Sequence, residues 1–156
     1  MAALYVATKW ENREAAATLM AELKKRGHTI TYDWTKVEQD SEAQAVIDLQ
    51  GVMAADALVV IADQPYDFRG TYTEMGIAAA RNIPILLIGT GADRNIFTKL
   101  PIVRRFPDAT NLEPLFEELS LPLQAFQLGL PAVRPHDTTR RYEPAVKRNP
   151  ASYFPR

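Results

Sequence analysis

Short apolar runs alternate with segments of helical periodicity along the first 120 residues. ALYVA (3–7), ALVVIA (57–62) and IPILLIG (83–89) each have the length and composition of a buried parallel strand. HTITYDW (28–34) alternates in the manner of a strand, and a weaker strand is expected over 103–106. This order predicts an α/β fold: a doubly wound, flavodoxin- or Rossmann-like parallel sheet of about five strands with helices on both faces.

Four segments between and after these runs have helical patterns. In the first, Ala16, Leu19, Met20 and Leu23 fall on one face, and Gly27 is the expected stop. The second helix is expected over SEAQAVIDLQGVMAAD and the third from GTYTEMG, and each opens with capping-box spacing. TNLEPLFEEL is the last helix. The spacing therefore predicts caps at Ser41–Gln44 and Thr71–Glu74.

Composition is that of an ordinary soluble domain, with 47% hydrophobic and 24% charged residues among 156. We find no apolar run of membrane-span length, no signal-peptide pattern and no cysteine, so a cytoplasmic location is expected and a membrane is not. The net charge of −1 gives no reason to expect nucleic-acid binding. The two histidines are isolated, and no P-loop or dinucleotide fingerprint is present. No metal or redox cofactor is expected.

The last 36 residues differ from the rest. From 121 to 156 six basic residues stand against two acidic ones, and prolines interrupt any apolar period. We interpret 1–120 as the catalytic domain and 121–156 as a Pro-rich basic arm. The arm is either solvated or docks on the body or on a neighbouring subunit.

In doubly wound sheets, ligands bind beyond the carboxyl ends of the strands, where the strand order reverses. The segments 8–12, 63–73 and 89–95 are expected to meet there. Glu74 lies beside the second of them, and two interpretations are open for it. It is a capping residue, or it is an ionised carboxylate that attacks an anomeric carbon, and the helix N-terminus would favour its ionised form near neutral pH.

Asp48 interrupts an apolar stripe formed by Ala45, Leu49 and Val52. An acid on a buried stripe needs a partner or a function, unless it lies at the edge and reaches solvent. Tyr5 on the first strand is expected in the core, where its hydroxyl needs a partner that a carboxylate would supply.

Arg69 precedes Gly70, where the backbone can approach a ligand closely, so its guanidinium is a candidate partner for a phosphate or carboxylate. Surface exposure without a ligand is the alternative. Asp63 and Asp67 flank a proline in a turn, where solvated acids are the default.

RGTYTEMGIA (69–78) and its neighbours carry a resemblance to a known family. Together with YDW (32–34), AD (55–56) before an apolar strand, and NIFTKLPIVRRF (95–106), it resembles the nucleoside 2-deoxyribosyltransferase superfamily. That superfamily includes deoxynucleotide N-hydrolases and CMP-type N-glycosidases. The likeness covers Ala3 to Leu119 and is greatest to the branch with RGTxxExGxA.

The resemblance implies a doubly wound fold, a homodimer or larger homo-oligomer, and roles for three residues. Glu74 takes the position of the nucleophile, Asp48 that of the acid assisting the sugar and leaving base, and Tyr5 that of the residue orienting the nucleophile. The substrate would be a nucleoside or nucleotide. The residues expected to contact it are Thr8, Lys9, Trp10, Asp63, Phe68, Arg69, Gly70 and Asn95.

Two departures leave the substrate open. Transferases of free nucleosides often have an acid where this chain has Phe68, and hydrolases of monophosphates often have Gly-Ser where it reads ATKW (7–10). Lys9 and Arg69 are candidate replacements for that anion site. The choices between purine and pyrimidine, ribose and deoxyribose, and hydrolysis and transfer also stay open. The alternatives are a non-catalytic nucleotide-binding or sensor module, and a glycohydrolase of a larger nucleotide such as NAD.

Overall fold

The computed structural model describes residues 1–37, 42–63, 68–121 and 123. Its sheet has five parallel strands in the order β2-β1-β3-β4-β5, which confirms the doubly wound α/β prediction. The strands are β1 (Ala3–Ala7), β2 (Thr29–Ile30), β3 (Ala57–Ile61), β4 (Ile85–Ile88) and β5 (Val103–Phe106). The helices are α1 (Arg13–Lys25), α2 (Glu42–Met53), α3 (Arg69–Ala80) and α4 (Glu113–Ser120).

The core lies where the sequence pattern places it. Every residue of β3 and β4 is buried, and the predicted face of α1 packs against the sheet. Gly27 follows α1 with a φ of +87°, a left-handed conformation that suits glycine and ends the helix. None of the helices among the described residues is long and apolar enough to cross a membrane.

The second strand is shorter than predicted. HTITYDW forms only the two residues of β2, after which the chain turns into a short 3-10 helix at Trp34–Lys36. Trp34 is buried there, and its indole Nε1 donates a hydrogen bond to the carbonyl oxygen of Val6 at 2.7 Å. The apolar residue at the end of HTITYDW is therefore buried because its indole packs on β1, and not because the strand continues to it.

The predicted capping box at Thr71–Glu74 is wrong. α3 begins two residues earlier, at Arg69, and its backbone nitrogen at Tyr72 already bonds the carbonyl of Phe68 at 2.8 Å. Thr71 is thus inside the helix, and Glu74 lies in the second turn, beyond reach of a cap. The other predicted cap begins at Ser41, which is outside the described residues, as is the predicted arm from residue 124 onward.

The apolar stripe predicted for α2 is also wrong in part. Ala45 and Leu49 are exposed, and the buried residues of this helix are Gly51 and Val52. α2 contacts the sheet at Gly51. The backbone lies so close there that a Cβ at Gly51 would come within 2.9 Å of the Tyr5 ring. This close approach turns Asp48 towards the end of β1.

Candidate active site

A cavity of about 380 Å³ opens beyond the carboxyl ends of β1 and β3, at the point where the strand order reverses. Strand β1 and the loop after it form the floor, α2 one wall and the start of α3 another. Its described lining residues are Tyr5, Thr8, Lys9, Trp10, Glu11, Trp34, Val37, Gln44, Asp48, Phe68, Arg69, Gly70, Thr71 and Glu74.

Tyr5 lies between the two acids of this cavity. Its hydroxyl is 3.0 Å from Oδ1 of Asp48 and 2.9 Å from Oε1 of Glu74. The ring is fully buried in the core, so the hydroxyl has a fixed position. Three elements, β1, α2 and α3, thus each contribute one side chain to a single hydrogen-bonded cluster.

One hydroxyl proton cannot serve two carboxylates at once. When Tyr5 donates to one acid, the other needs a proton of its own to bond the phenol oxygen. Burial, followed by the neighbouring Asp48 charge, raises the pKa of Glu74 to about 7, although the Tyr5 hydrogen bond opposes the rise. Burial likewise raises the pKa of Asp48, against hydrogen bonds from Tyr5 and Gln44. Both shifts favour a proton on this carboxyl pair near neutral pH.

This proton corrects the expectation that Glu74 is fully ionised near pH 7. The expectation relied on the helix N-terminus, whose field weakens beyond the first turn, and Glu74 lies in the second. Desolvation and the Asp48 charge determine its titration instead. Burial also raises the pKa of Tyr5 above its ordinary value, so the phenol keeps its proton and acts as a donor.

Aromatic side chains face the same cavity. The rings of Trp10 and Trp34 lie 6.1 Å apart between centroids and are tilted by 38°. The guanidinium of Arg13 lies 5.2 Å from the Trp10 ring and holds it from outside. Flat aromatic surfaces in a polar cavity suit the faces of a planar heterocycle.

Six of the eight residues predicted to contact the substrate line the cavity, and two do not. Among the six, the Thr8 hydroxyl is already used, since it donates to the carbonyl of Ile61 at 2.8 Å. Asp63 and Asn95 are not among the described lining residues. Asp63 accepts a hydrogen bond from Asn12 at 3.3 Å, and the Asn95 side chain accepts one from the backbone nitrogen of Phe97 at 2.8 Å. The six are Thr8, Lys9, Trp10, Phe68, Arg69 and Gly70.

Sequence reasoning missed five residues that line the cavity, three of which are Gln44, Trp34 and Thr71. Gln44 hydrogen-bonds Asp48 and donates to the Tyr32 hydroxyl at 2.6 Å, so it orients the acid. Trp34 and Thr71 also line the cavity. Helical spacing could have found two of them, because Gln44 lies four residues before Asp48, and Thr71 three before Glu74.

Comparison with known proteins identifies the family. Residues 4–113 match the model of the nucleoside 2-deoxyribosyltransferase family. The chain belongs to this family. A member of the nucleoside 2-deoxyribosyltransferase family is expected to act on the glycosidic bond of a nucleoside or nucleotide, and membership supports a deoxyribosyltransferase or N-glycosidase activity. No curated protein matches the sequence significantly.

Solved structures share the fold of this family member. A 2-deoxyribosyltransferase from Bacillus psychrosaccharolyticus is 18% identical, with a TM-score of 0.56 over 80% of this chain and 95% of the other. A CMP N-glycosidase from Clostridium botulinum is 17% identical, with a TM-score of 0.54 over 77% and 99%. A conserved protein from Enterococcus faecalis V583 is 20% identical, with a TM-score of 0.53 over 77% and 98%. At sequence identities of 17–20%, this structural similarity shows a shared fold and nothing more.

Proposed function

We propose that this protein cleaves the N-glycosidic bond of a (deoxy)nucleoside or nucleoside 5′-monophosphate through a glycosyl-enzyme on Glu74. The observation that carries the proposal is the Tyr5 hydroxyl, which lies within 3.0 Å of both Asp48 and Glu74 in an open cavity. Two carboxyl groups in one site with raised pKa values suit a reaction that needs both a nucleophile and an acid.

In the first step, a carboxylate oxygen of Glu74 attacks C1′ of the sugar. The C1′–N bond breaks, and its electron pair leaves with the base, which takes a proton from Asp48. The product is an ester between Glu74 and C1′. Trp10 and Trp34 offer aromatic surfaces for the departing base.

This step needs Glu74 without its proton and Asp48 with one. Tyr5 provides a route for the proton from Glu74 to Asp48, because its hydroxyl is hydrogen-bonded to both acids. Glu74 passes a proton to the phenol oxygen as the phenol proton moves to Asp48, so the cluster keeps the same number of protons. Substrate binding would thereby convert a resting pair into a nucleophile and an acid.

In the second step, the ester is resolved by water or by a second base. Asp48, now a carboxylate, accepts the proton of the incoming nucleophile as it attacks C1′ and releases Glu74. Water yields a free sugar or sugar phosphate, and a second base yields a new nucleoside. Both outcomes use the same three side chains.

We also propose that the protein works as a homo-oligomer. α2 exposes four large apolar side chains, each more than 40% accessible, on the helix that carries Asp48. An apolar surface on one helix of a soluble domain suits burial against a second copy. The four residues are Val46, Ile47, Leu49 and Met53.

The proposal is tested by incubating wild-type protein with a panel of nucleosides, their 5′-monophosphates and NAD, with and without a second free base. Chromatography should show a released base from at least one of them. Glu74→Gln should lower that rate by at least about a thousandfold, since an amide cannot attack C1′. A swapped nucleoside identifies a transferase, and free sugar or sugar phosphate a hydrolase.

Glu14→Gln is the matched control, because Glu14 is exposed on α1, away from the cavity, and should not change the rate. If wild-type protein releases no base from any member of the panel, the enzyme proposal is contradicted. A non-catalytic nucleotide-binding module is then the better account. If Glu74→Gln retains the wild-type rate, the assignment of the nucleophile is contradicted.

A further inference from the structure

The two carboxyl groups that meet at Tyr5 differ in their hydrogen-bond donors. The Tyr5 hydroxyl is 2.9 Å from Oε1 of Glu74 and 3.0 Å from Oδ1 of Asp48. The Asp48 carboxyl also accepts a hydrogen bond from the side-chain amide of Gln44. An amide N–H can only donate, and it binds a carboxylate more strongly than a neutral carboxyl group. The added donor therefore favours a negative charge on Asp48 and leaves the proton of the pair to Glu74.

The helix itself brings Gln44 close to Asp48. Gln44 lies four residues before Asp48 on α2, so the two side chains share one face of the helix. Glutamine and aspartate form hydrogen bonds at this spacing. A glutamine side chain nevertheless has several rotatable bonds, and ordering it costs conformational entropy. The spacing brings the amide near the carboxyl group, but a second contact is needed to hold it there.

The Tyr32 hydroxyl supplies this second contact. Nε2 of Gln44 donates a hydrogen bond to it at 2.6 Å. The nitrogen of a primary amide carries two N–H groups, so Nε2 has one for Tyr32 and one for Asp48. With both N–H groups used, the direction of the amide is fixed. Tyr32 thus acts on Asp48 through Gln44.

The segment that carries Tyr32 is tied to β1 on both sides. Before Tyr32, the backbone nitrogen of Thr31 donates to the carbonyl oxygen of Leu4 at 2.9 Å. After it, the indole of Trp34 donates to the carbonyl oxygen of Val6 at 2.7 Å. The Tyr32 side chain is half-buried and packs against the core. Its hydroxyl therefore has a restricted position beside the first turn of α2.

The charged groups around the pair do not account for this asymmetry. Burial, the Asp48 charge and the hydrogen bonds of the cluster determine the pKa values of the two acids. The Tyr5 hydrogen bond lowers the pKa of both acids, whereas the Gln44 hydrogen bond lowers that of Asp48. The other charged side chains that line the described part of the cavity are Lys9, Glu11 and Arg69.

We infer that Gln44, held by Tyr32, is a positioning residue that makes Asp48 the charged member of the resting pair and Glu74 the protonated one. Glu74 is thus kept as an acid until its proton moves through the Tyr5 hydroxyl to Asp48. The Gln44 hydrogen bond strengthens again as the departing base takes that proton, since Asp48 then becomes a carboxylate. This role in base release rests on the proposed function, whereas the position of the proton in the free protein does not.

The position of the proton is measured without turnover. Carbon NMR of protein labelled at its carboxyl groups follows the titration of each acid, and Asp48→Asn and Glu74→Gln identify the two signals. In wild-type protein Asp48 should titrate at lower pH than Glu74. In Gln44→Met, which keeps the length of the side chain but removes the donor, the Asp48 titration should move to higher pH. Tyr32→Phe should move it in the same direction by a smaller amount, and should add nothing in the Gln44→Met background.

Two variants serve as matched controls. Gln50→Met replaces an exposed glutamine of the same helix that is not among the described lining residues, and Tyr72→Phe removes a tyrosine hydroxyl outside the cluster. Both should leave the two titrations unchanged. Gln44 is only half-buried and methionine is a good helix former, so Gln44→Met should fold.

The results separate this inference from the proposed function. An Asp48 titration that is unchanged in Gln44→Met, or a wild-type pair in which Glu74 titrates at lower pH than Asp48, would overturn the inference. A higher KM in Gln44→Met with unchanged titrations would also overturn it, because Gln44 would then act on the substrate directly. Full additivity of Tyr32→Phe and Gln44→Met would overturn the role of Tyr32.

Base release by wild-type protein would still uphold the proposed function in each of those cases. Conversely, an Asp48 titration that depends on Gln44, in a protein that releases no base, would uphold the position of the proton and overturn the catalysis.

Discussion

At the scale of single residues, the Tyr5 hydroxyl determines how the two acids share protons. It is within hydrogen-bond distance of both Asp48 and Glu74, and its ring is held by the buried first strand. The hydroxyl hydrogen bond lowers the pKa of Glu74, whereas burial and the Asp48 charge raise it to about 7. The reactivity of Glu74 should therefore depend on pH in the neutral range and on the Tyr5 hydroxyl.

The pH dependence of kcat/KM tests this expectation. The reaction needs one proton on the carboxyl pair, and Glu74, whose pKa is about 7, loses that proton as pH rises. We therefore expect kcat/KM to fall about tenfold per pH unit above pH 7, because the pair then has no proton to give to the leaving base. In Tyr5→Phe the lost hydrogen bond no longer lowers the pKa of Glu74, so the falling limb should move to higher pH.

Rates from pH 5 to 9 on the best substrate provide the measurement, with Tyr72→Phe as a control that removes a tyrosine hydroxyl outside the cluster. An unshifted limb in Tyr5→Phe, or a limb that moves to lower pH, would show that the hydroxyl does not stabilise ionised Glu74. A purely structural loss would lower the rate at every pH without moving the limb.

At the scale of elements, the approach of α2 to β1 positions Asp48. Gly51 lies one turn after Asp48, and a Cβ there would come within 3.0 Å of the Tyr5 ring and of Tyr32 Cβ. The bare glycine lets the helix come close enough for Asp48 to reach the Tyr5 hydroxyl at 3.0 Å. A larger residue must displace either the ring or the helix.

Gly51→Ala should accordingly disturb the site without removing any catalytic group. We expect kcat/KM to fall at least about tenfold, since small misplacements of catalytic groups are costly. The free energy of unfolding should fall by about 1–3 kcal/mol from overpacking. Urea denaturation and steady-state kinetics measure the two effects.

Gly76→Ala on α3 is the matched control, because a Cβ there meets nothing within 4 Å. It should raise the free energy of unfolding by roughly 0.5–1 kcal/mol, as expected for alanine in a helix, and leave kcat/KM unchanged. Full activity in Gly51→Ala would show that the close approach of α2 does not position Asp48.

At the scale of the whole molecule, the sequence predicted the architecture better than the local details. The apolar runs of β1, β3 and β4 are long, and their alternation with helices determined both the sheet and the end of it at which the cavity opens. Tyr5, Asp48 and Glu74 were singled out and do meet in that cavity, although their roles stay predictions.

The local errors have physical causes that a single sequence does not reveal. Thr71 and Glu74 have capping-box spacing, yet the helix begins at Arg69, because helix ends depend on the preceding loop as much as on spacing. The apolar stripe on α2 was expected to face the core, whereas this helix buries Gly51 and Val52 and leaves Leu49 exposed. The indole of Trp34 packs on β1 through a tertiary contact, which local alternation cannot distinguish from a strand.

The central claim is that Glu74 becomes covalently bound to the sugar, and trapping that intermediate tests it most directly. Wild-type protein is incubated with a 2′-fluoro analogue of its best substrate, since fluorine beside C1′ slows resolution of the ester. Mass spectrometry of the digested protein should find the fluorinated sugar on the peptide that contains Glu74, and no adduct in Glu74→Gln. Base release from the analogue without any adduct, or an adduct on another residue, would contradict the account.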